Sequence, residues 1–565
     1  MADPAPSGIL PARRSGPRWW PLWLLCTAEF AWLLWVWQGP AIQRQEQVLR
    51  TGGGLLVGFV LLVVWLLAWS RLRWKVRLGA LLVLFGAAAL PAVLFRVSGV
   101  TGDLVPVVTW RWKAASLPTP RPPQSAPAAH GSKTSGVQLP ADFAGFPQFL
   151  GPTRDGVIPG PALARDWKAE PPQLLWRLAV GEGYSGFAIA GERAISLEQH
   201  GESEVVVCRH VLSGATLWRH EHPSRFENSL GGIGPRTTPT VVGERVFALG
   251  AKGTLRALDL SSGRLLWQRD ILADAGTKAP EWGLAGSPLV VNDLVVVHPG
   301  GTGHSLSAYR TDTGQPAWAA GDSRAGYSSP QLVTLLGQPQ IVIFNHDGVA
   351  SHAPADGKLL WTYPWTNAAQ HVTDPRVVAP NRFVVSTGYG AGADLVELAR
   401  DAQGVWKTNR LWHSQRLKSK FASLVVREGF LYGLDDGRLT CMDLASGEPR
   451  WKGDRIGHGQ VLLAGDLLVV TAENGEVLLL EATPDAAREL SRFPALSGKM
   501  WNPPALAPPL LIVRTEKEAA CYRLPLAKGN DISARSSWPE SKELQELSRS
   551  IRRAARKAPR GFRLT

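Results

Sequence analysis

The chain has 565 residues, 45% hydrophobic and 19% charged, with 58 Gly, 43 Pro, 24 Trp and only four Cys. That length favours more than one structural unit, and so few cysteines exclude a disulfide-dense secreted scaffold. The net charge of +14 is concentrated at the ends: residues 1–113 carry +8 and residues 541–565 carry +6, whereas 114–540 hold 41 basic and 41 acidic residues. The large middle therefore lacks the basic field that a polyphosphate needs, which argues against nucleic-acid binding.

Three apolar stretches open the chain, at about residues 19–38, 52–70 and 78–95, and only the first contains a charge, Glu29. Each is close to the roughly 20 residues a helix needs to cross a bilayer. No small-residue cleavage site follows the first stretch, so it reads as a retained span rather than a signal peptide. Arg13, Arg14 and Arg18 precede the first span, and Arg71, Arg73, Lys75 and Arg77 crowd the second loop. The bias of basic residues puts residues 1–18 and that loop in the cytoplasm. Everything after the third span is then expected in the periplasm of a bacterial inner membrane, with residues 19–113 as a multi-pass anchor in the lipid bilayer. Glu29 reads as a protonated residue that packs helices.

Residues 114–142 form a Pro-rich linker, with six Pro and no aromatic residue. A semi-rigid tether of this length reaches roughly 80 Å in polyproline form. Beyond it, a Gly followed four residues later by Trp recurs as Gly214–Trp218, Gly263–Trp267, Gly314–Trp318, Gly357–Trp361 and Gly447–Trp451. Degenerate copies stand at Trp176, Trp412 and Phe493, giving eight positions about 45 residues apart. One copy, from Thr238 to Asp270, divides into four short strands: Thr240–Val242, Arg245–Leu249, Thr254–Asp259 and Leu265–Arg269. Gly-containing turns separate them. Four antiparallel strands repeated eight times over residues 143–525 predict an all-β fold, an eight-bladed β-propeller preceded by three transmembrane helices. Gln173–Trp176 is expected to supply the outer strand of the last blade, beside Leu510–Val513 and Ala519–Arg523. The seven Trp (Trp176, Trp218, Trp267, Trp318, Trp361, Trp412 and Trp451) are expected to pack between blades.

Aligning the blades predicts a ring at one mouth of the central channel: Tyr184, Arg236, Ala285, Tyr327, Val372, Ala422, His458 and Trp501. Of these, Tyr184, Arg236, Tyr327, His458 and Trp501 are the candidate ligand-binding residues. Their stacking faces and fixed cation suit a planar anion, although bulky residues that simply plug the channel would look the same. The ring itself contains no carboxylate, and no metal site is expected, because Ca²⁺ takes six to eight oxygen ligands. No catalytic residue can be assigned.

The segments LDLSSGRLLW (258–267), CMDLASGEPRW (441–451) and APADGKLLW (353–361) resemble the repeat of pyrroloquinoline-quinone (PQQ) propellers. FPQFLGPTRDGV (146–157), GPRTTPTV (234–241) and AGYSSPQL (325–332) are similar to PQQ-like repeat proteins of environmental bacteria. The family contains quinoprotein alcohol dehydrogenases and a non-catalytic propeller lipoprotein of the outer-membrane assembly machine. In the dehydrogenases the resemblance implies PQQ beneath an adjacent-Cys disulfide, beside calcium held by Glu, Asn and Asp. This chain has no adjacent cysteines, and Cys208, Cys441 and Cys521 read as buried thiols. No cofactor is therefore expected. The reading is a non-catalytic scaffold that binds a periplasmic protein partner or a ligand, with a PQQ-dependent dehydrogenase as the alternative. Residues 526–565 end in a basic tail, seven Lys and Arg between Arg549 and Arg563, which suits anionic lipid, an acidic partner or a solvated terminus.

Overall fold

The structure, a computed structural model, describes residues 16–39, 43–112, 139–140, 143–365 and 370–528. Nearly all of the expected linker and the tail from residue 529 lie outside the described residues. Three helices come first: α1 (Trp20–Gln38), α2 (Arg44–Val64, continuing as a π-helix over Trp65–Trp69) and α3 (Trp74–Leu94). All three are long and apolar enough to cross a membrane. α2 and α3 start earlier than their apolar stretches, taking in Arg44, Glu46 and Arg50, and Lys75 and Arg77. Helical hydrogen bonding continues beyond the apolar run, and Glu46 pairs with Arg50 one turn on.

α1 and α2 pack through glycines, since a Cβ at Gly54 would lie 2.6 Å from Trp32 Nε1 and one at Gly58 2.9 Å from Glu29 Oε2. Small residues in this spacing let helix backbones approach in lipid. The carboxylate of Glu29 thus fills the groove that those glycines leave.

α3 ends where Phe95 turns extended, and a hairpin follows, Phe95–Val100 paired with Pro106–Trp110. The sequence reading left this segment unassigned. Its tip, Thr101–Val105, proves to be central to the site.

Beyond the hairpin, eight four- or five-stranded sheets succeed one another along the chain. Their innermost strands are Ala188–Ala190, Thr240–Val242, Leu289–Val291, Gln331–Leu335, Arg376–Ala379, Val425–Arg427, Gln460–Ala464 and Ala505–Ala507. In the copy divided above, the four strands match their predicted bounds, apart from one residue at the end of Leu265–Asp270. The seventh sheet gains a short fifth strand, Val157–Ile158, added in parallel to Gln460–Ala464. The eighth takes its outer strand from the beginning of the propeller-like region, where Gln173–Ala179 pairs with Glu518–Arg523. Its inner strand lies against that of the first sheet.

Two sets of contacts join neighbouring sheets. Near the centre, Thr238 N donates to Ser287 Oγ (2.9 Å), Ser287 N to Ser329 Oγ (3.0 Å) and Ser329 N to Asp374 Oδ1 (2.7 Å). Thr373 Oγ1 reaches Ser419 O and Ala422 O. Gln460 Nε2 bridges Phe421 O and Trp501 O, both at 3.0 Å. Asn502 Nδ2 returns to Gly183 O and Ser185 O, and Tyr184 N donates to Pro235 O. This circuit begins and ends on the first sheet.

Outside it, five of the seven repeat Trp lie against the repeat Gly of the following sheet. Trp176 meets Gly214, Trp218 meets Gly263, Trp267 meets Gly314, Trp318 meets Gly357 and Trp412 meets Gly447. The indole N–H groups of Trp176, Trp218, Trp267, Trp318, Trp412 and Trp451 donate to carbonyls of the next sheet, at Val211, Leu260, Thr311, Pro354, Leu444 and Thr483. Trp361 differs. The fifth sheet lacks the Gly, so the indole stacks on Phe383 at 5.3 Å and donates within its own sheet to Gln340 Oε1.

The contact makes a paired prediction. Gly314 has φ +69°, and an added Cβ would stand 2.6 Å from Trp267 Cδ2, whereas Gly243 has φ +55° and nothing within 4 Å. Both Gly→Ala changes carry the left-handed backbone cost of about 1–2 kcal/mol. Gly314→Ala adds overpacking of about 1–3 kcal/mol. Thermal unfolding of the two variants should show Gly314→Ala melting clearly below Gly243→Ala.

Candidate functional site

The segments leading into the innermost strands bend toward the centre of the sheet array. They bring Tyr184, Arg236, Ala285, Tyr327, Val372 and Trp501 around one cavity of about 210 Å³. Trp282, Tyr389, Phe421 and Phe149 complete its aromatic wall. Tyr184 and Trp501 stack with centroids 5.7 Å apart, Trp282 and Tyr327 lie 5.2 Å apart, and Phe421 sits 5.0 Å from Trp501.

Arg236 and Lys499 face these rings, and Lys420 Nζ lies 5.0 Å from the Tyr389 ring. Arg236 Cζ lies 5.5 Å from the Tyr184 ring and 4.6 Å from Phe226, and Lys499 Nζ lies 4.0 Å from Trp501. The Arg236 guanidinium donates to the carbonyls of Gly231 (2.7 Å), Gly232 and Gly234. Burial lowers its pKa to about 10, so it stays charged at neutral pH. The Tyr184 hydroxyl donates to Glu516 Oε2 at 2.9 Å; burial first, then the charge of Glu516, raises its pKa.

His458 departs from the expected ring. It lines no part of this cavity: its Nε2 meets Asp103 Oδ1 at 3.0 Å and its ring lies against Gly102, leaving it 2% exposed. Ala422 is likewise used otherwise, its carbonyl accepting from Thr373. The ring contains no acid, yet its members meet acids supplied by neighbouring segments. Trp501 Nε1 donates to Glu473 Oε1 at 2.7 Å, Tyr184 to Glu516, and His458 engages Asp103.

Asp103 belongs to the anchor's hairpin, whose tip enters the mouth. Gly102 N donates to Glu473 Oε1 (2.6 Å), and Arg455 Nη1 donates to Asp103 Oδ2 (2.8 Å). Lys420, 1% exposed, donates from Nζ to Gly102 O (2.8 Å) and to Gln45 Oε1 (2.7 Å) at the start of α2. One ammonium thus ties two separate anchor segments to the propeller-like region. Burial alone would raise the pKa of Asp103, but the hydrogen bond and charge of His458, with Arg455 and Lys420, outweigh it and lower the value. Gln45, Val100, Thr101, Gly102 and Leu104 form that wall of the cavity.

The opposite side is closed by the segment Phe146–Ile158. Arg154, 3% exposed, donates to Ser287 O (3.0 Å) and Pro288 O (2.9 Å). Its own carbonyl accepts from Gln331 Nε2. In the sequence Arg154 stands only within the family-like FPQFLGPTRDGV segment (146–157), and nothing in the repeat spacing marks it as a plug. The hairpin tip had a readable signal, a Thr-Gly-Asp turn between two β-rich runs, but its destination depends on packing.

Asp103, Asp436 and His458 bring their ligand atoms within 4.8 Å of one another. As a cation site this group fits poorly, because Arg455 holds Asp103 and Lys420 lies within electrostatic reach of Asp103 and Asp436. Nor do the residues fit the PQQ and calcium of the dehydrogenases: Cys208, Cys441 and Cys521 are separate, free and buried, with burial raising each thiol to about 12.

The family model described as outer membrane protein assembly factor BamB matches residues 168–279, 201–453 and 391–488. The chain belongs to this family. The BamB of Shewanella oneidensis is 25% identical over 305 residues, covering 50% of this chain and 71% of the relative. That of Moranella endobia is 24% identical over 257 residues, covering 43% of this chain and 64% of the relative. The chain thus spans a little under two thirds of the latter's length. Among solved structures, a europium-containing methanol dehydrogenase superposes with TM-score 0.51 at 11% identity, covering 68% of this chain and 99% of that one. A quinohemoprotein alcohol dehydrogenase from Comamonas testosteroni gives 0.50 at 10% identity, with 68% and 81% coverage. These two likenesses show the fold of this BamB-family chain, a PQQ-like repeat protein with a propeller-like architecture.

The docking of the hairpin is open to measurement. Lys420→Met and Asp103→Asn each remove charge-assisted hydrogen bonds, which contribute about 1.5–3 kcal/mol apiece. Hydrogen exchange across Phe95–Trp110 should accelerate tenfold or more in either variant. Because the pKa of Asp103 is lowered in the folded protein, its contribution is present at neutral pH and is lost only as pH falls below about 3.8 toward the folded value.

Proposed function

We propose that this protein is an inner-membrane-anchored, non-catalytic binding scaffold whose eight sheets are the blades of one closed eight-bladed propeller. In this reading the N-terminus is cytoplasmic and the propeller stands in the periplasm, because the basic residues cluster before α1 and between α2 and α3. The observation that carries the proposal is the closing of the hub by the chain itself. Arg154 enters from one side and Gly102–Asp103 from the other, each satisfied by named partners. A catalytic hub must admit substrate, whereas a scaffold presents its outer surfaces. The relatives' designation as assembly factors agrees with a protein partner in the cell envelope.

A second reading, a PQQ-dependent dehydrogenase passing electrons to the membrane, is favoured by one observation: the aromatic cavity holds Arg236, whose hydrogen bonds go to carbonyls. Purified full-length protein titrated with PQQ and Ca²⁺ separates the two. The scaffold proposal expects no shift in quinone absorbance and no dye-coupled alcohol oxidation, and tight binding with turnover would overturn it. Capture of a defined envelope protein by the intact chain, lost when the propeller surface is altered, supports a scaffold. Alkaline phosphatase joined after Thr565 should be active, and an inactive fusion would reverse the proposed topology.

A further inference from the structure

The end of the helical bundle remote from the hairpin holds a second cavity, of about 640 Å³, which the propeller does not touch. Trp20, Leu24, Leu25 and Ala28 of α1 form one wall, and Leu61, Val64 and the π-helical Trp65 and Trp69 form the other. Arg18 stands at its rim. Its position is fixed by the backbone: Arg18 N donates to Ser70 O (3.2 Å), and Trp65 Nε1 donates to Arg18 O (3.2 Å). The π-helix widens the last turn of α2, and such turns recur at functional sites.

Arg18 is thereby held beside the short loop that carries Arg73 and leads into Lys75 and Arg77 at the start of α3. Arg18, Arg73 and Lys75 are exposed. No Asp or Glu occurs between Glu46 and Asp103. Arg18, Arg73 and Lys75 give this end of the bundle a cationic rim. An apolar groove running along two spans and opening beneath a cationic rim matches one kind of molecule: acyl chains joined to an anionic headgroup.

We propose that this groove is a binding site for an anionic phospholipid. Its acyl chain lies between α1 and the π-helical end of α2, and its phosphate meets Arg18 and the neighbouring basic loop. The Trp residues at the rim (Trp20 and Trp69) suit the headgroup level, where indole is favoured. The site is independent of the hub and stands whether or not the propeller is a scaffold.

Native mass spectrometry of the full-length protein, incubated in mild detergent with equal phosphatidylglycerol and phosphatidylcholine, tests the site. Phosphatidylglycerol adducts should exceed phosphatidylcholine adducts several-fold in the wild type. Arg18→Gln should reduce that preference about fivefold, as expected for one basic residue at an anionic surface. Ala28→Trp, which fills the lipid-facing groove and leaves every charge in place, should lower retention of both lipids. An unchanged melting temperature of the propeller would show that the variants remain folded. Equal retention of the two lipids by the wild type, or unaltered preference in Arg18→Gln, would overturn the proposal.

Discussion

The structure depends on a contact between an indole and a glycine. In five of the repeats the outer strand carries a Trp that the following repeat meets with a Gly in a tight turn, where any side chain would collide. The indole N–H then satisfies a carbonyl that the turn leaves open. The same short motif therefore defines both the strand end and the spacing between sheets. Because the eighth sheet borrows Gln173–Ala179, Trp176 makes this contact across the seam with the first sheet. Repeated between most neighbouring sheets, this local contact helps to position the innermost strands, and those strands position the residues around the hub.

What was legible in the sequence follows from this repetition. Gly and Trp recur at nearly constant spacing, so the number of sheets, the strands of the Thr238–Asp270 copy and the borrowed outer strand could be read directly. The ring at the mouth followed from alignment of equivalent positions, and Tyr184, Arg236, Tyr327 and Trp501 do converge on one cavity. His458 occupies the equivalent position but not the equivalent environment, because Asp103 lies 355 residues earlier in the chain and belongs to no repeat. Lys420, Glu473 and Glu516 were missed for the same reason: they are particular to single sheets. Hydrophobic patterning likewise located the three spans, but gave the start of α2 late, since its first turns are polar.

The anchor does more than tether. Gln45 precedes the apolar part of α2, and Gly102 and Asp103 follow α3, yet both converge on Lys420. A chain that needed only attachment to a membrane would require no contact between the helices and the sheets. Here the hub mouth is fastened against the helices, and the aromatic cavity is enclosed between the hairpin tip and the segment carrying Arg154. At the hub, Asp103, Glu473 and Glu516 each accept hydrogen bonds from the chain's own donors.

The account's central claim is that the sheets close on themselves and that the anchor seals their hub. Electron cryomicroscopy of the full-length protein in lipid nanodiscs tests both parts in one map. The account requires eight sheets in a ring, the seam closed by Gln173–Ala179, and density for Gly102 and Asp103 between Lys420 and His458. A different number of sheets, an open seam, or a hairpin standing free of an open hub would contradict it.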